Sequence, residues 1–582
     1  MHATIQKLLE QALSAVAKDA SLATLASMDP QTERTRDARH GDFTSNVAMR
    51  AAKKLGQKPR ELAQRIAAAI PEADIVHKVD IAGPGFINLT LSATAYREEM
   101  ARVLSARQQY GSSESGQGRR VLVEFVSANP TGPLHVGHGR HAAFGASLAN
   151  ILRATGHHVD TEYYVNDAGR QMDILALSVW LRYLELAGIE FEFPHNCYQG
   201  AYCKTIAQTI ASQSGTALTG DPAVLRQLIA DESHEPEAKL DALIGCAKSL
   251  LGPEGFAIFF GAAIEEILGD IRDDLHEFGV DYDRWYSERS LTENNLIDNA
   301  ISKLRASDLL YEKDGATWFR TTDFGDDKDR VVIRENGATT YFASDIAYHK
   351  EKCERGYDLL INAFGSDHHG YIARLQAALA GFGQPIDTLE VRLVQFVVLF
   401  RGSEKVQMTT RGGNYVTLRD LREEVGNDAA RFFYVSRSND QHLDFDLELA
   451  KSASNDNPVY YVQYAYARIS STLRKLDDSG AKLPLPNAAA LAPLCENEEL
   501  QLMRQISRYG EVVQTASDNR APQMIVQYLR DLAAEFHSFY NAQRIIVDDP
   551  QVRDARRLLI TATQQVLANG LALLGVAAPD TM

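Results

Sequence analysis

Apolar residues recur along this chain with two periods, and the change of period divides it into three parts. In residues 1–110, helical spacing over 4–17, 58–69 and 95–108 alternates with strand-like runs over 75–81 and 86–91, which predicts a small α+β unit. From Arg119 to about residue 450, short β-branched runs (121–126, 159–165, 357–364, 391–399) alternate with helical stretches. That alternation predicts an α/β domain of Rossmann type, a parallel sheet with crossover helices. An acidic helical stretch, residues 179–265, interrupts it and reads as an insertion between the two halves of the nucleotide fold. Beyond residue 455 no strand pattern remains. Helical patterns over 459–475, 498–515, 521–541 and 554–574 predict an all-helical terminal domain. The polar run from Ser112 to Gly118 is expected to be a linker closing the first unit. The predicted units are therefore 1–111, 119–450 and 455–582.

Composition narrows the class. A chain of 582 residues has room for about three domains. Its 45% hydrophobic and 24% charged content is that of an ordinary soluble protein. No apolar run approaches the roughly 20 residues that span a bilayer. The first twenty residues are broken by Gln6, Lys7, Glu10 and Lys18, unlike a signal peptide. A cytoplasmic protein without membrane contact is the expectation. Five scattered cysteines with no CxxC, and Cys197 and Cys203 lacking a fourth ligand beside His195, argue for free thiols and against a structural metal. The net charge of −17 lies in the middle of the chain: residues 1–118 carry 15 basic against 13 acidic side chains, and 455–582 carry 12 against 14. Near-neutral flanks permit a basic face for RNA without arguing for one.

The most informative segment is 121–141, VLVEFVSANPTGPLHVGHGRH. A buried strand leads into a Pro/Gly-broken turn, and His135-Val136-Gly137-His138 opens a helix continuing through residues 142–152. Such a transition aims free backbone N–H groups and the positive helix end at its occupant, which suits phosphate. Two imidazoles three residues apart reach the same anion. Gly137 between them lets a flat base approach the backbone. With these features the chain resembles the class I aminoacyl-tRNA synthetases, whose HIGH motif binds ATP. SANPTGPLHVGHGR is similar to the bacterial-type arginyl members in particular, and the likeness extends over essentially the whole length.

That resemblance implies ATP, L-arginine and tRNA(Arg) as substrates, magnesium accompanying the ATP, a monomer, and activation that depends on tRNA. It implies that the first unit contacts the tRNA elbow and the last binds the anticodon. It places ATP contacts at His135, Val136, Gly137 and His138. Further contacts are expected at Gly365, Asp367 and His368 in AFGSDHHG, where a glycine turn follows an apolar strand and Asp367 is placed to accept ribose hydroxyls. The mobile KMSKS loop is matched by a degraded copy, Gln407-Met408-Thr409-Thr410-Arg411, with Met408 at the nucleotide. Thr410 stands where a lysine normally meets the phosphates, so Arg411 or Lys405 is the expected replacement, with Gly412-Gly413 giving mobility.

A guanidinium calls for carboxylates in a matching fork. By the resemblance, Glu124, Ser127, Asn129, Tyr341 and Asp345 bind arginine. Tyr341 and Asp345 share a helix face if the segment is helical, and a carboxylate on an apolar central strand, as at Glu124, is costly unless paired. Near the last junction, Tyr460, Tyr461, Tyr464 and Arg468 suit stacked anticodon bases, although such a stripe also suits a core. The resemblance adds Met582 to the anticodon contacts. The alternatives left open are a cysteinyl-type enzyme, for which the zinc ligands are missing, and a non-catalytic RNA-binding relative.

Overall fold

The computed structural model describes residues 1–35, 38–231, 235–406, 416–478, 480 and 485–582. Its centre is a five-stranded parallel sheet in the order Leu389–Val394, Leu359–Gly365, Arg120–Glu124, His158–Val165, Arg284–Ser287. Val121, Leu122 and Val123 are buried, as both faces of a parallel sheet require. Strand Arg120–Glu124 occupies the middle. From it the chain crosses through the histidine helix (Val136–Ala154) to one neighbour, and the strand on its other side comes from far later in sequence. This switch point opens a crevice at the carboxyl ends of the strands.

The run 391–399 is two strands, not one. The first ends at Val394, and Val397–Arg401 joins a separate small sheet with Glu404–Lys405 and Leu443–Asp446. At the break, Asn439 accepts the Gln395 N–H at 2.8 Å and the buried Arg140 takes the Gln395 carbonyl at 2.9 Å. The inserted helices run from Arg170–Leu186 to Pro236–Glu277, beginning before residue 179 and ending after 265. The last of them has 42 residues and is apolar and long enough for a membrane span by composition, but it breaks at Gly252 (φ 66°) and packs on Arg170–Leu186. A three-stranded antiparallel sheet (Leu310–Lys313, Ala316–Phe319, Arg330–Ile333) precedes helix Tyr341–Glu354.

The front unit is a four-stranded antiparallel sheet with helices. Its helix Ala93–Ala106 packs on the C-terminal helices Asn497–Ser507 and Pro550–Leu574, and Arg34 pairs with Glu511 at 2.6 Å. The segment expected to be a free linker is stitched down. The Ser113 N–H donates to Ala154, the Gly116 N–H to Thr155, and both serine hydroxyls at 113 and 115 reach Gln514. Polar composition alone does not separate a mobile linker from a loop whose polar groups find partners. The C-terminal part is helical throughout its described elements: Pro458–Asp478, Asn497–Ser507, Tyr509–Asn519, Gln523–Ala542 and Pro550–Leu574. The pattern over 498–515 is thus two helices meeting at Arg508.

Candidate active site

Strand Arg120–Glu124 delivers its chain into the crevice through two strained residues. Val126 (φ 66°) and Ser127 (φ 44°) are both left-handed, which is costly for a β-branched side chain and is found where a site over-determines the backbone. The strain turns the Ser127 hydroxyl back, where it accepts the Tyr164 N–H at 3.1 Å and donates to Glu124 at 3.2 Å. Asn129 follows, exposed in the turn.

The histidine turn differs from the expectation of open N–H groups. His135 is the N-cap of the helix: its Nδ1 accepts from the N–H groups of Gly137 (3.1 Å) and His138 (3.4 Å), while His138 Nδ1 accepts the His135 N–H at 3.2 Å. The Val136 N–H goes to the Val416 carbonyl. The first-turn donors are therefore spent on a reciprocal capping box, because an imidazole Nδ1 reaches them without help from a ligand. The consequence is chemical. Both Nδ1 atoms accept, so both protons sit on Nε2, and burial holds both imidazoles below their ordinary pKa, His138 well below. The rings stack with centroids 3.6 Å apart. The turn thus presents a pair of neutral N–H donors in fixed tautomers. Gly137 is needed because a Cβ there would stand 2.9 Å from the His135 ring.

Opposite, Gly365 ends its strand, and a Cβ on it would lie 2.5 Å from Asp367 Oδ1. Asp367 and His368 are exposed on the following turn, 3.8 Å apart. Lys405 is exposed on the short strand Glu404–Lys405, paired with Phe400. Met408 and Arg411 lie outside the described residues.

Glu124, Asp345 and Glu288 form a cluster of carboxylates. Glu124 is buried on the central strand, bound by Lys352 and, at 3.3 Å, by the Tyr348 hydroxyl. Tyr341 opens helix Tyr341–Glu354, exposed, with its ring reaching toward Gly169. One turn on, Asp345 accepts the Tyr371 hydroxyl. Burial pushes the Asp345 carboxyl up to about 7, the Tyr371 bond opposing the rise and Glu124 adding to it. Glu288 belongs to the same cluster. Burial, then Asp345 and Asp167, push it up to about 7 despite hydrogen bonds from Tyr164 and Ser344. Two carboxylates crowded out of water in this way favour a cation between them.

Three sequence profiles match the chain: Arginyl tRNA synthetase N terminal domain over residues 3–91, tRNA synthetases class I (R), catalytic domain over 99–195 and 274–453, and DALR anticodon binding domain over 462–582. The arginine–tRNA ligase of Thioalkalivibrio sulfidiphilus is 53% identical over 586 residues, covering 100% of both chains. That of Halorhodospira halophila is 52% identical with the same coverage. The fold also matches the Thermus thermophilus arginyl-tRNA synthetase, TM-score 0.73 at 22% identity over 100% of both chains. The chain belongs to the arginine–tRNA ligase family. It is a class I aminoacyl-tRNA synthetase, an enzyme, and the cysteinyl and non-catalytic alternatives fall away.

For an arginine–tRNA ligase, the tyrosine helix (Pro458–Asp478) carries the other feature of interest. Tyr460, Tyr461, Tyr464 and Arg468 line one cavity of about 590 Å³ together with Ser454, Asn455, His537 and Asn541. Tyr460 and Tyr464 stack at 5.9 Å and 7°, and Arg468 lies 4.9 Å over the Tyr464 ring and 4.4 Å over Tyr540. These side chains thus face a cavity and are not only core packing. Met582 is exposed, and Asp580 just before it is tied to Ser470 at 2.9 Å.

Several residues escaped the sequence reading. Lys352 stands seven positions after Asp345 on one helix face, a spacing that could have revealed it. Arg140, adjacent to the histidine pair, is buried on the carbonyls of Gln395, Ser438 and Gln441. Glu288 and His537 gave no signal, since nothing near them in sequence marks a site. Among the described residues, no group of three His, Cys, Asp or Glu side chains is arranged to hold a metal ion.

Proposed function

We propose that this crevice activates L-arginine with ATP to arginyl-adenylate and passes the arginyl group to the terminal adenosine of tRNA(Arg). The observation that carries the reading is the carboxylate cluster of Asp345, Glu288 and Glu124, in a chain whose histidine turn carries two neutral imidazole donors. The arginine carboxylate attacks the α-phosphorus of ATP, and charge grows on the phosphate oxygens as pyrophosphate leaves. Preformed N–H donors at His135 and His138 stabilise that charge without a proton transfer, since their pKa values keep them neutral. Mg2+ enters bound to ATP. Gly365 and Asp367 take the ribose, with Val136, Gly137, His368 and Met408 completing the nucleotide contacts and Arg411 or Lys405 serving the pyrophosphate. The guanidinium sits between Asp345 and Glu288, with Glu124 and Tyr341 beside it; Ser127 and Asn129 hold the α-amino end. Lys352 offsets one of the three acids, so an arginine cation meets a pocket that still needs positive charge. Tyr460, Tyr461, Tyr464, Arg468 and Met582 receive the anticodon loop, the first unit the tRNA elbow, and the protein works as a cytoplasmic monomer away from membranes.

Pyrophosphate exchange with each of the twenty amino acids, with and without tRNA(Arg), tests the reading. Exchange with arginine alone among them is expected. Equal exchange with lysine, or none with arginine and tRNA present, would overturn it.

A further inference from the structure

One eight-residue helix touches both the histidine turn and the tyrosine helix. The junction helix Asn427–Tyr434 spans roughly 12 Å at 1.5 Å per residue. At its last residue, the buried Tyr434 hydroxyl donates to the Val136 carbonyl at 2.8 Å. Val136 is the first residue of the histidine helix, so this bond grips the turn that carries His135 and His138. The Tyr434 ring also lies against Gly139, where an added Cβ would stand 2.9 Å from it. At the other end, Asp428 accepts the Gln463 Nε2–H at 2.8 Å and the Ala577 N–H at 2.9 Å. Gln463 stands between Tyr461 and Tyr464 on the tyrosine helix, and its amide also donates to the Ala577 carbonyl at 2.9 Å. Midway, the buried Arg431 guanidinium donates to Leu574 (2.9 Å), Phe278 (2.8 Å) and Gly279 (3.1 Å), the carbonyls at the ends of two long helices.

The Tyr434 and Arg431 contacts are buried and costly to leave half made, so this part of the helix moves with its partners, while the Asp428 end is held by two hydrogen bonds nearer the surface. A short helix clamped at both ends transmits displacement as a rigid body, whereas a loop of the same length would absorb it. We propose that the junction helix is a positioning element that makes the histidine turn responsive to the tyrosine-lined cavity. RNA seated on Tyr460 and Tyr464 acts on Gln463, Gln463 on Asp428, and Tyr434 sets the Val136 carbonyl and with it the imidazole pair. The inference rests on the reading of that cavity as an RNA site. Asp428, Gln463 and Tyr434 act through other residues and touch no substrate.

The test compares single-turnover arginyl-adenylate formation with two saturating RNAs: full-length tRNA(Arg) transcript, and a minihelix of its acceptor and T arms that lacks the anticodon. The ratio of the two rates measures the coupling. A ratio of about tenfold is expected for the wild type, within the usual range for linked sites. Gln463→Leu and Asp428→Ala should bring the ratio toward one with the minihelix rate within twofold of wild type. Tyr434→Phe should do the same to the ratio while tRNA affinity in filter binding stays within threefold, a split that general loosening of the fold would not produce. Should Asp428→Ala melt early, Gln463→Leu carries the comparison. An unchanged ratio in Gln463→Leu and Tyr434→Phe overturns the proposal. Tyr464→Ala separates the two levels: raised tRNA Kd with coupling intact in the junction variants removes only the relay, whereas unchanged Kd removes the RNA reading of the cavity and the relay with it.

Discussion

Lys352 and Glu124 form an ion pair that is buried on both sides, between a helix and the central strand, 228 residues apart in sequence. Asn362 also accepts from the Lys352 ammonium, at 3.1 Å, which fixes it beside Glu124. Holding Lys352 is one task of Glu124 and the proposed arginine contact is a second, so a single substitution mixes them.

A pair of variants separates the two. Glu124→Gln should lower the melting temperature, because removing one partner of a buried pair typically costs about 3–5 kcal/mol. It should also raise the arginine KM. Adding Lys352→Met should recover much of the stability, since no buried charge is then left alone, but not the KM. Recovery of both in the double variant would mean that Glu124 acts only as a structural partner.

His138→Ala should slow adenylate formation by about 10²–10³, the usual loss for one preorganised donor, with little change in arginine affinity. It should also loosen His135, whose N–H it accepts. Quench-flow rates decide the matter, and a wild-type rate in this variant would remove the donor pair from the mechanism.

With the guanidinium held by Asp345 and Glu288 as proposed, arginine binding should be pH-dependent in a defined direction. Asp345 and Glu288 rise to about 7 in the folded protein, from ordinary values of 3.8 and 4.5. Between the ordinary and the raised values, the folded state binds more protons than the unfolded chain. Stability from these groups therefore falls as pH rises from about 4 through 7. A guanidinium prefers both carboxylates ionised, so its affinity gains over the upper part of that window. Lowering the pH from 8 to 6 should weaken arginine by about tenfold or more. The rise in melting temperature on adding arginine should be larger at pH 8 than at pH 6. Calorimetric affinities that do not change over this range would rule out the two-acid cradle.

Lys405→Ala and Arg411→Ala should differ in pre-steady-state adenylate formation. Lys405 is held in a strand opposite Phe400, while Arg411 belongs to the pentad read from the sequence as the degraded KMSKS copy. Only the Arg411 variant is expected to slow the step. Equal, negligible effects would place the phosphate cation elsewhere in the protein or in its tRNA-bound state.

What the sequence determined by itself was local. Repeating apolar periods marked the strands and helices, because a period of two or of 3.6 is imposed by the backbone of a single segment. His135 and His138 lay close enough along the chain for their meeting on one helical turn to be legible, and Tyr341 and Asp345 for their place on one helix. The family motif carried those residues to a function. Even there, spacing did not reveal that the two imidazoles cap one another and consume the helix N–H groups, since that depends on side-chain rotamers in a strained turn. Only the tertiary structure decided which charges meet. Lys352 reaches Glu124, Glu288 joins Asp345, Asp428 finds Gln463 and the tail, and the segment 112–118 is held rather than free. Each of these pairings joins residues far apart in sequence or depends on a neighbour packed from elsewhere. Removing water from such polar partners costs free energy that only the right pairing offsets, and no pattern along one segment records which distant group will lie beside it.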